Sequence, residues 1–296
     1  MAFVENQGAK IYWDEQGRGA PVLLITGLGY ASDTWHRTRP VLSEHYQTIA
    51  LDNRGVGRSD APSGPYPIAL MASDAAAVLD AAGIESAHLF GVSMGGMIAQ
   101  EFALQNTQRV RSLILGCTAA GGPTVVRAEA EASQMLMGRV KMTPEQAAEA
   151  AVPFIYDVGT PRERIDEDLA IRRPWFPRPE AYAAQLQGII AWEGHSRLSG
   201  ITVPTLVIHG ESDRLVPPGN AKLIAQRIPG ARLVMIPQAS HLFLTDQTEA
   251  AHRIILEFLN EQAGTTAGDT DLKCRNTGCS VGALSRDRSE KEKALC

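Results

Sequence analysis

The stretch His88-Leu89-Phe90-Gly91-Val92-Ser93-Met94-Gly95-Gly96-Met97 decides how this chain folds. Its first half is a short apolar run that reads as a buried strand, and its second half opens helical spacing from Met94 to Gln105. The serine between them, flanked by Gly91 and Gly95, forms a G-x-S-x-G pattern where a strand turns sharply into a helix. In such a turn the serine backbone is strained, and small neighbours let strand and helix approach each other. The Ser93 hydroxyl then projects into a pocket, and the N–H of Met94 at the helix start points to the same place. A glycine-rich turn with an idle serine is the alternative, and the partners available to Ser93 decide between the two.

Outward from this turn the chain alternates short β-rich runs with helical stretches, the pattern of an α/β protein around a mostly parallel, doubly wound sheet. Phe3-Val4-Glu5 and Lys10-Ile11-Tyr12-Trp13 flank Asn6-Gln7-Gly8 and predict an opening hairpin. Val22 to Thr26, Thr48 to Leu51, His88 to Val92, Ser112 to Gly116, Thr205 to His209 and Arg232 to Ile236 are continuously apolar, as strands buried on both faces are. Ile68 to Ala82, Asn220 to Arg227 and Glu249 to Asn260 carry helical spacing. The rhythm breaks between Gly121 and Gly200, where helical patches (Arg127 to Val140, Pro144 to Ala151, Pro179 to Trp192) and Pro-rich joints replace strands. A structureless loop of that length is rare in a compact domain, so the spacing predicts a helical cap inserted over the sheet. The expected organisation is a core of 1–120 and 201–262, a cap of 121–200 and a disordered tail of 263–296, where Gly, Thr, Ser and mixed charge leave little to bury. Removing that tail is expected to leave folding and activity almost unchanged.

Composition narrows the function classes. The 296 residues are 44% apolar and 21% charged, enough for one large buried core. A net charge of −5 without a basic run argues against nucleic acid as a partner. The start, MAFVENQGAK, has no charged segment leading into an apolar one, and no apolar run is long enough for a bilayer. Three of the four cysteines, Cys274, Cys279 and Cys296, fall in the last 23 residues, with spacing and ligand number unsuited to zinc. The expectation is a cytoplasmic protein without structural disulfides, membrane contact, metal or cofactor; its oligomeric state is left open.

A serine hydroxyl is a poor nucleophile at neutral pH and needs a general base. Of seven histidines, His88 and His209 sit in or beside strands as core residues, and His36, His45, His195 and His252 fall elsewhere in the topology. His241, in Pro237-Gln238-Ala239-Ser240-His241 after the last strand, belongs at the C-terminal edge of the sheet, where open α/β sheets place their sites. A carboxylate must orient that histidine, and His209-Gly210-Glu211-Ser212-Asp213 offers Asp213, with Glu211 as the alternative. The chain order Ser93, Asp213, His241 favours Asp213.

Over residues 1–262 the chain resembles the α/β-hydrolases. The resemblance includes Thr26-Gly27-Leu28-Gly29 after the first parallel strand, and Asp52-Asn53-Arg54-Gly55-Val56-Gly57-Arg58-Ser59-Asp60, which is similar to the family's DxRGxGxSD loop and makes Arg54 structural. Thr26 stands where many members carry histidine, a departure that resembles 3-oxoadipate enol-lactonases and the related family V bacterial esterases. The resemblance implies the Leu28 N–H as a second oxyanion donor beside that of Met94. Dehalogenases and epoxide hydrolases resemble the chain less, because they carry aspartate where Ser93 stands. A dinucleotide loop is disfavoured because the G-x-G-x-x-G spacing is missing.

These readings predict a cofactor-free serine hydrolase of carboxylic esters and lactones, acyl-homoserine lactones included. The runners-up are a cofactor-free haloperoxidase or perhydrolase, a C–C bond hydrolase, and a ligand receptor on the same fold. Met135, Met137, Phe154, Tyr156, Trp175, Phe176, Tyr182 and Trp192 form the cap's apolar inventory, from which Met135, Phe154, Trp175 and Trp192 are expected to line the substrate pocket. Nine Lys and Arg against eleven Asp and Glu between 121 and 200 predict neutral rather than carboxylate-bearing substrates.

Overall fold

The computed structural model describes residues 2–265. Eight strands form one sheet: β1 (Ala2–Asn6), β2 (Ala9–Gln16), β3 (Pro21–Ile25), β4 (Gln47–Leu51), β5 (Ala87–Val92), β6 (Val110–Gly116), β7 (Thr205–Gly210) and β8 (Arg232–Ile236). Ten α-helices accompany them: α1 (Thr38–Ser43), α2 (Ile68–Ala81), α3 (Met94–Gln105), α4 (Ala130–Gly138), α5 (Pro144–Ile155), α6 (Arg162–Arg172), α7 (Pro179–Ala191), α8 (Gly219–Arg227), α9 (Phe243–Asp246) and α10 (Thr248–Thr265). The sheet order is β1-β2-β4-β3-β5-β6-β7-β8. β1 and β2 form the antiparallel hairpin at one edge, β2 runs antiparallel to β4, and every later pairing is parallel.

Both faces of the sheet are covered, which explains why the central strands read as continuous apolar runs. Leu23 and Ile25 of β3 face one way, into a core with residues of α2, α3 and α8; Val22 and Leu24 face the other way, against α1 and α10. Alternation within a single buried strand thus feeds two cores.

Residues 121–200 hold α4 to α7 and no strand. α6 and α7 pack on the loops that leave the C-terminal ends of β3 and β4. Gln185 of α7 accepts from the Gly29 N–H at 2.9 Å and donates to the Arg54 carbonyl at 2.8 Å. Arg37 bonds Asp168 and Glu167 of α6. Two boundaries differ from the sequence reading. α5 continues past Ala151 to Ile155 despite Pro153, which sits in its last turn, and α10 continues past Gln262 to Thr265. Three helices were not foreseen: the short α1 and α9, and α6. α6, Arg-Glu-Arg-Ile-Asp-Glu-Asp-Leu-Ala-Ile-Arg, is so rich in charge that its buried stripe of Ile165, Asp168, Leu169 and Arg172 has no apolar signature. The expected tail beyond Thr265, with Cys274, Cys279 and Cys296, lies outside the described residues.

The loop after β4 is pinned from beneath by a bidentate ion pair. Arg54 Nε and Nη2 each reach an Asp74 carboxylate oxygen of α2 at 2.6 Å, with side chains 2% and 1% exposed. Removing one partner of a buried pair strands the other charge, whereas replacing both with apolar groups does not. Asp74→Ala is expected to cost about 3–5 kcal/mol, read as a lower urea midpoint at unchanged slope. The double change Arg54→Met with Asp74→Leu is expected to lie much closer to wild type.

Candidate active site

The turn between β5 and α3 is built by backbone contact. A Cβ on Gly91 would lie 2.1 Å from the Gly95 carbonyl oxygen, and one on Gly95 would lie 2.1 Å from that of Ile25. Any larger side chain would therefore push β5, α3 and β3 apart. Ser93, squeezed between them, takes φ 55° and ψ −122°, a conformation costly for a residue with a Cβ. It is held there by its N–H to the Gly116 carbonyl at 2.9 Å and by Thr118 Oγ1, which donates to the Ser93 carbonyl at 2.6 Å. Met94 begins the helix, so its N–H has no acceptor within it.

At the ends of β7 and β8 two further side chains meet. His241 Nδ1 lies 2.8 Å from Asp213 Oδ2, and both residues are buried. The other carboxylate oxygen, Oδ1, accepts the N–H groups of Leu215 and Val216 at 2.9 and 2.8 Å. His209 Nε2 lies 3.1 Å from Oδ2 and 2.8 Å from the Val216 carbonyl, which can only accept, so this nitrogen carries the proton. Burial alone would raise the Asp213 pKa, but the His241 charge and the hydrogen bonds from His209 and His241 win and hold it down at about 2. Glu211 is exposed and its backbone bonds β8, so the geometry selects Asp213 as the histidine's partner. The sequence places His209 in the core, and it is there; its contact with Asp213 depends on the turn after β7, which carries no motif.

Asp246 of α9 fixes the backbone beside His241. Its carboxylate accepts the Ser240 N–H at 2.7 Å, the Thr160 hydroxyl at 2.6 Å and the Asp157 N–H at 3.3 Å. Burial raises its pKa to about 6 against the pull of those donors. The histidine loop is thereby tied to the segment between α5 and α6.

Two cavities meet at Ser93, His241 and Tyr30. The larger, of about 270 Å³, is walled mainly by apolar side chains including Leu28, Met97, Met135, Leu136, Ile155 and Leu215. The smaller, of about 70 Å³, has Trp35, His36, Asp168 and Arg172 in its wall together with Phe243 and Cys117. Burial pushes the Cys117 thiol well above its ordinary range, so it is no rival nucleophile. No hydrogen bond joins Ser93 Oγ to His241 among the described residues, although both line both cavities. Catalytic hydrogen bonds are often loose before substrate arrives.

Leu28 and Met94 border the larger cavity beside Ser93, and among the described residues no backbone hydrogen bond uses either N–H. The loop carrying Leu28 is braced where Thr26 replaces histidine: its hydroxyl donates to the Tyr30 carbonyl at 2.7 Å, and Asn53 Nδ2 donates to the Thr26 carbonyl at 3.0 Å. Of the four expected pocket residues, Met135 lines the larger of the two cavities at Ser93, and Phe154, Trp175 and Trp192 line neither. Phe154 turns its ring to the Arg214 guanidinium, Trp175 stacks under Arg58 with 3.8 Å to the ring centre, and Trp192 donates to Glu101 at 2.8 Å. Each large ring is claimed by a charged partner away from Ser93, which composition cannot reveal. Conversely, His36 belongs to the smaller cavity, as do Asp168 and Arg172 from the unforeseen α6. Their only signal is spacing: with Ile165 and Leu169 they fall on one helical face at i, i+3, i+4 and i+7. No group of three His, Cys, Asp or Glu among the described residues could hold a metal ion. No helix among them is long and apolar enough to cross a membrane.

The α/β-hydrolase fold family matches residues 20–154 and 172–248. The chain belongs to that family. It is 34% identical over 245 residues to a poly(3-hydroxyalkanoate) depolymerase of Ectopseudomonas oleovorans, covering 82% of this chain and 85% of the relative. It is 32% identical over 264 residues to a protein named as a carbamate hydrolase, RutD, of Azorhizobium caulinodans, covering 88% and 99%. The enol-lactonase of Burkholderia xenovorans LB400 superposes with a TM-score of 0.79 at 28% identity, covering 88% of this chain and 100% of that one. Family and relatives support hydrolase activity on a small molecule.

The depressed Asp213 pKa fixes a pH dependence of stability. A carboxylate ionising more easily when folded stabilises the fold above its ordinary value near 3.8, and that stabilisation is lost as pH falls through about 2. Guanidinium unfolding of wild type and Asp213→Asn is expected to show a stability gap that is constant near neutrality and narrows below about pH 4.

Proposed function

We propose that this hydrolase cleaves carboxylic esters and lactones through an acyl-enzyme on Ser93, with His241 as general base and Asp213 as its orienting carboxylate. The observation that carries the reading is the buried His241–Asp213 bond opening onto the same cavities as the strained Ser93. In this mechanism Ser93 Oγ attacks the substrate carbonyl as His241 Nε2 takes its proton. Negative charge developing on the carbonyl oxygen is received by the N–H groups of Leu28 and Met94. Collapse expels the alcohol, protonated by His241. A water that loses its proton to His241 then attacks the acyl carbon and frees Ser93. The helices of residues 121–200 act as a cap that closes the larger cavity. The reading is supported by the depolymerase and the enol-lactonase among the similar proteins. The likeness to RutD makes carbamates the second substrate class to test.

Turnover of p-nitrophenyl esters of increasing acyl length, of lactones and of a carbamate tests the reading. Ser93→Ala and His241→Ala are each expected to lower kcat by about 10⁴- to 10⁶-fold, and Asp213→Asn by somewhat less. Because the three act as one unit, the Ser93→Ala, His241→Ala double variant is expected to be scarcely worse than either single one. A fluorophosphonate is expected to add one phosphonyl group to Ser93, seen by mass spectrometry. Retention of more than about a tenth of wild-type turnover in Ser93→Ala would sink the assignment.

A further inference from the structure

The smaller cavity has a buried guanidinium in its wall, and its polar members come from α6 and from the loops after β3 and β8. Arg172 is 8% exposed. It donates from Nη1 to Tyr30 Oη at 2.6 Å, from Nη2 to Tyr156 Oη at 2.9 Å and from Nε to the Asp168 carbonyl at 3.2 Å. All three acceptors are neutral, and they account for three of the five N–H groups of a guanidinium. Trp35, 2% exposed, has an indole N–H with no hydrogen-bond partner among the described residues. Neither ring nitrogen of His36 forms a hydrogen bond there, although Nε2 lies 3.4 Å from Asp168 Oδ1.

Asp168, the carboxylate in the same wall, is already engaged. Its Oδ1 takes Arg37 Nη2 at 3.2 Å, and its Oδ2 takes the hydroxyls of Thr245 and Tyr156 at 2.7 and 3.0 Å. Glu167, the other acid on Arg37, is 54% exposed and screened by water. Arg37 is thus paired with both Glu167 and Asp168, whereas no carboxylate accepts a hydrogen bond from Arg172. A buried guanidinium bonded only to neutral acceptors favours a negatively charged, acceptor-only group.

We propose that the smaller cavity is a subsite for a carboxylate carried by the substrate, held by Arg172. This deepens the ester and lactone reading and rests on Ser93 being the nucleophile. The preferred substrate has a large apolar group for the 270 Å³ cavity and a short carboxylate-bearing arm for the 70 Å³ one. That smaller volume has room for about five water-sized groups, enough for a carboxylate and one or two carbons. The balance of charge over residues 121–200 points to neutral substrates; this is revised, because a sum over the segment does not show that Arg172 alone reaches this cavity.

Matched substrates test the subsite in both orientations: decanoyl glycolate against the glycolamide ester, and mono-octyl succinate against octyl succinamate. In each pair a carboxylate is exchanged for an uncharged amide of equal size. Wild type is expected to favour the carboxylate member of one pair by about tenfold or more in kcat/KM, a ratio that falls towards one in Arg172→Met. Parity in both pairs, or a preference that survives in Arg172→Met, overturns the proposal; the wild-type ratio does so even if that variant fails to fold. Uncleavable amide analogues separate this result from the hydrolase reading. N-decanoylglycine and N-octylsuccinamic acid are titrated calorimetrically against their terminal amides. Selective binding of one acid, lost in Arg172→Met, upholds the subsite even if no ester is cleaved, which would count against hydrolysis alone. Equal binding of acid and amide in both sets overturns the subsite even if esters are cleaved.

Discussion

Backbone contact among β5, α3 and β3 is the constraint on which the rest of the molecule depends. With no side chain at Gly91 or Gly95, the carbonyls of Gly95 and Ile25 occupy the places where those Cβ atoms would be. This closeness forces Ser93 into its left-handed conformation, and it brings Gly27 so near that a Cβ there would sit 3.0 Å from the Ser93 Cβ. The strain is local, and hydrogen bonds from β6 and Thr118 hold it. A side chain raised on such a turn has few ways to move, which is what positioning a nucleophile requires.

Around this fixed point the other groups are held by buried polar networks rather than by apolar packing. Asp213 is bound by two backbone N–H groups and two histidines, so His241 has a rigid carboxylate behind it. Asp246 ties the histidine loop to the segment between α5 and α6, and the Leu242 N–H reaches the Ile155 carbonyl at 2.8 Å. The helices of residues 121–200 are therefore hydrogen-bonded to the site as well as packed over it. A shift in those helices would be felt at His241 through these bonds.

The two cavities differ in size and in the elements that wall them. One is broad, walled in part by α4 and α5; the other is small, with Asp168 and Arg172 of α6 and Trp35 and His36 of the loop after β3 in its wall. Ser93 lies in the wall of both. The asymmetry arises because α6 is amphipathic in an unusual sense: its buried face contains an acid and a base.

The sequence by itself determined the mostly parallel sheet, the turn at Ser93 and the place of His241 at the sheet's C-terminal edge. Each rests on a local rule: apolar runs bury strands on both faces, glycines permit backbone contact, and loops at the C-terminal sheet edge face one another. Thr26 and Asn53 were legible as departures or motif positions, but their mutual hydrogen bond was not. The choice between Glu211 and Asp213 was settled only by the turn after β7, which exposes one and buries the other. Tertiary structure alone decided which side chains face Ser93. Phe154, Trp175 and Trp192 are drawn away by Arg214, Arg58 and Glu101, partners 60, 117 and 91 positions distant in the chain. Arg172 and Asp168, two of the many charges of residues 121–200, are buried because Tyr30, Tyr156, Arg37 and Thr245 supply their hydrogen bonds. Local sequence sets period and backbone freedom, whereas the burial of a charge depends on partners that only the folded chain brings within hydrogen-bonding distance.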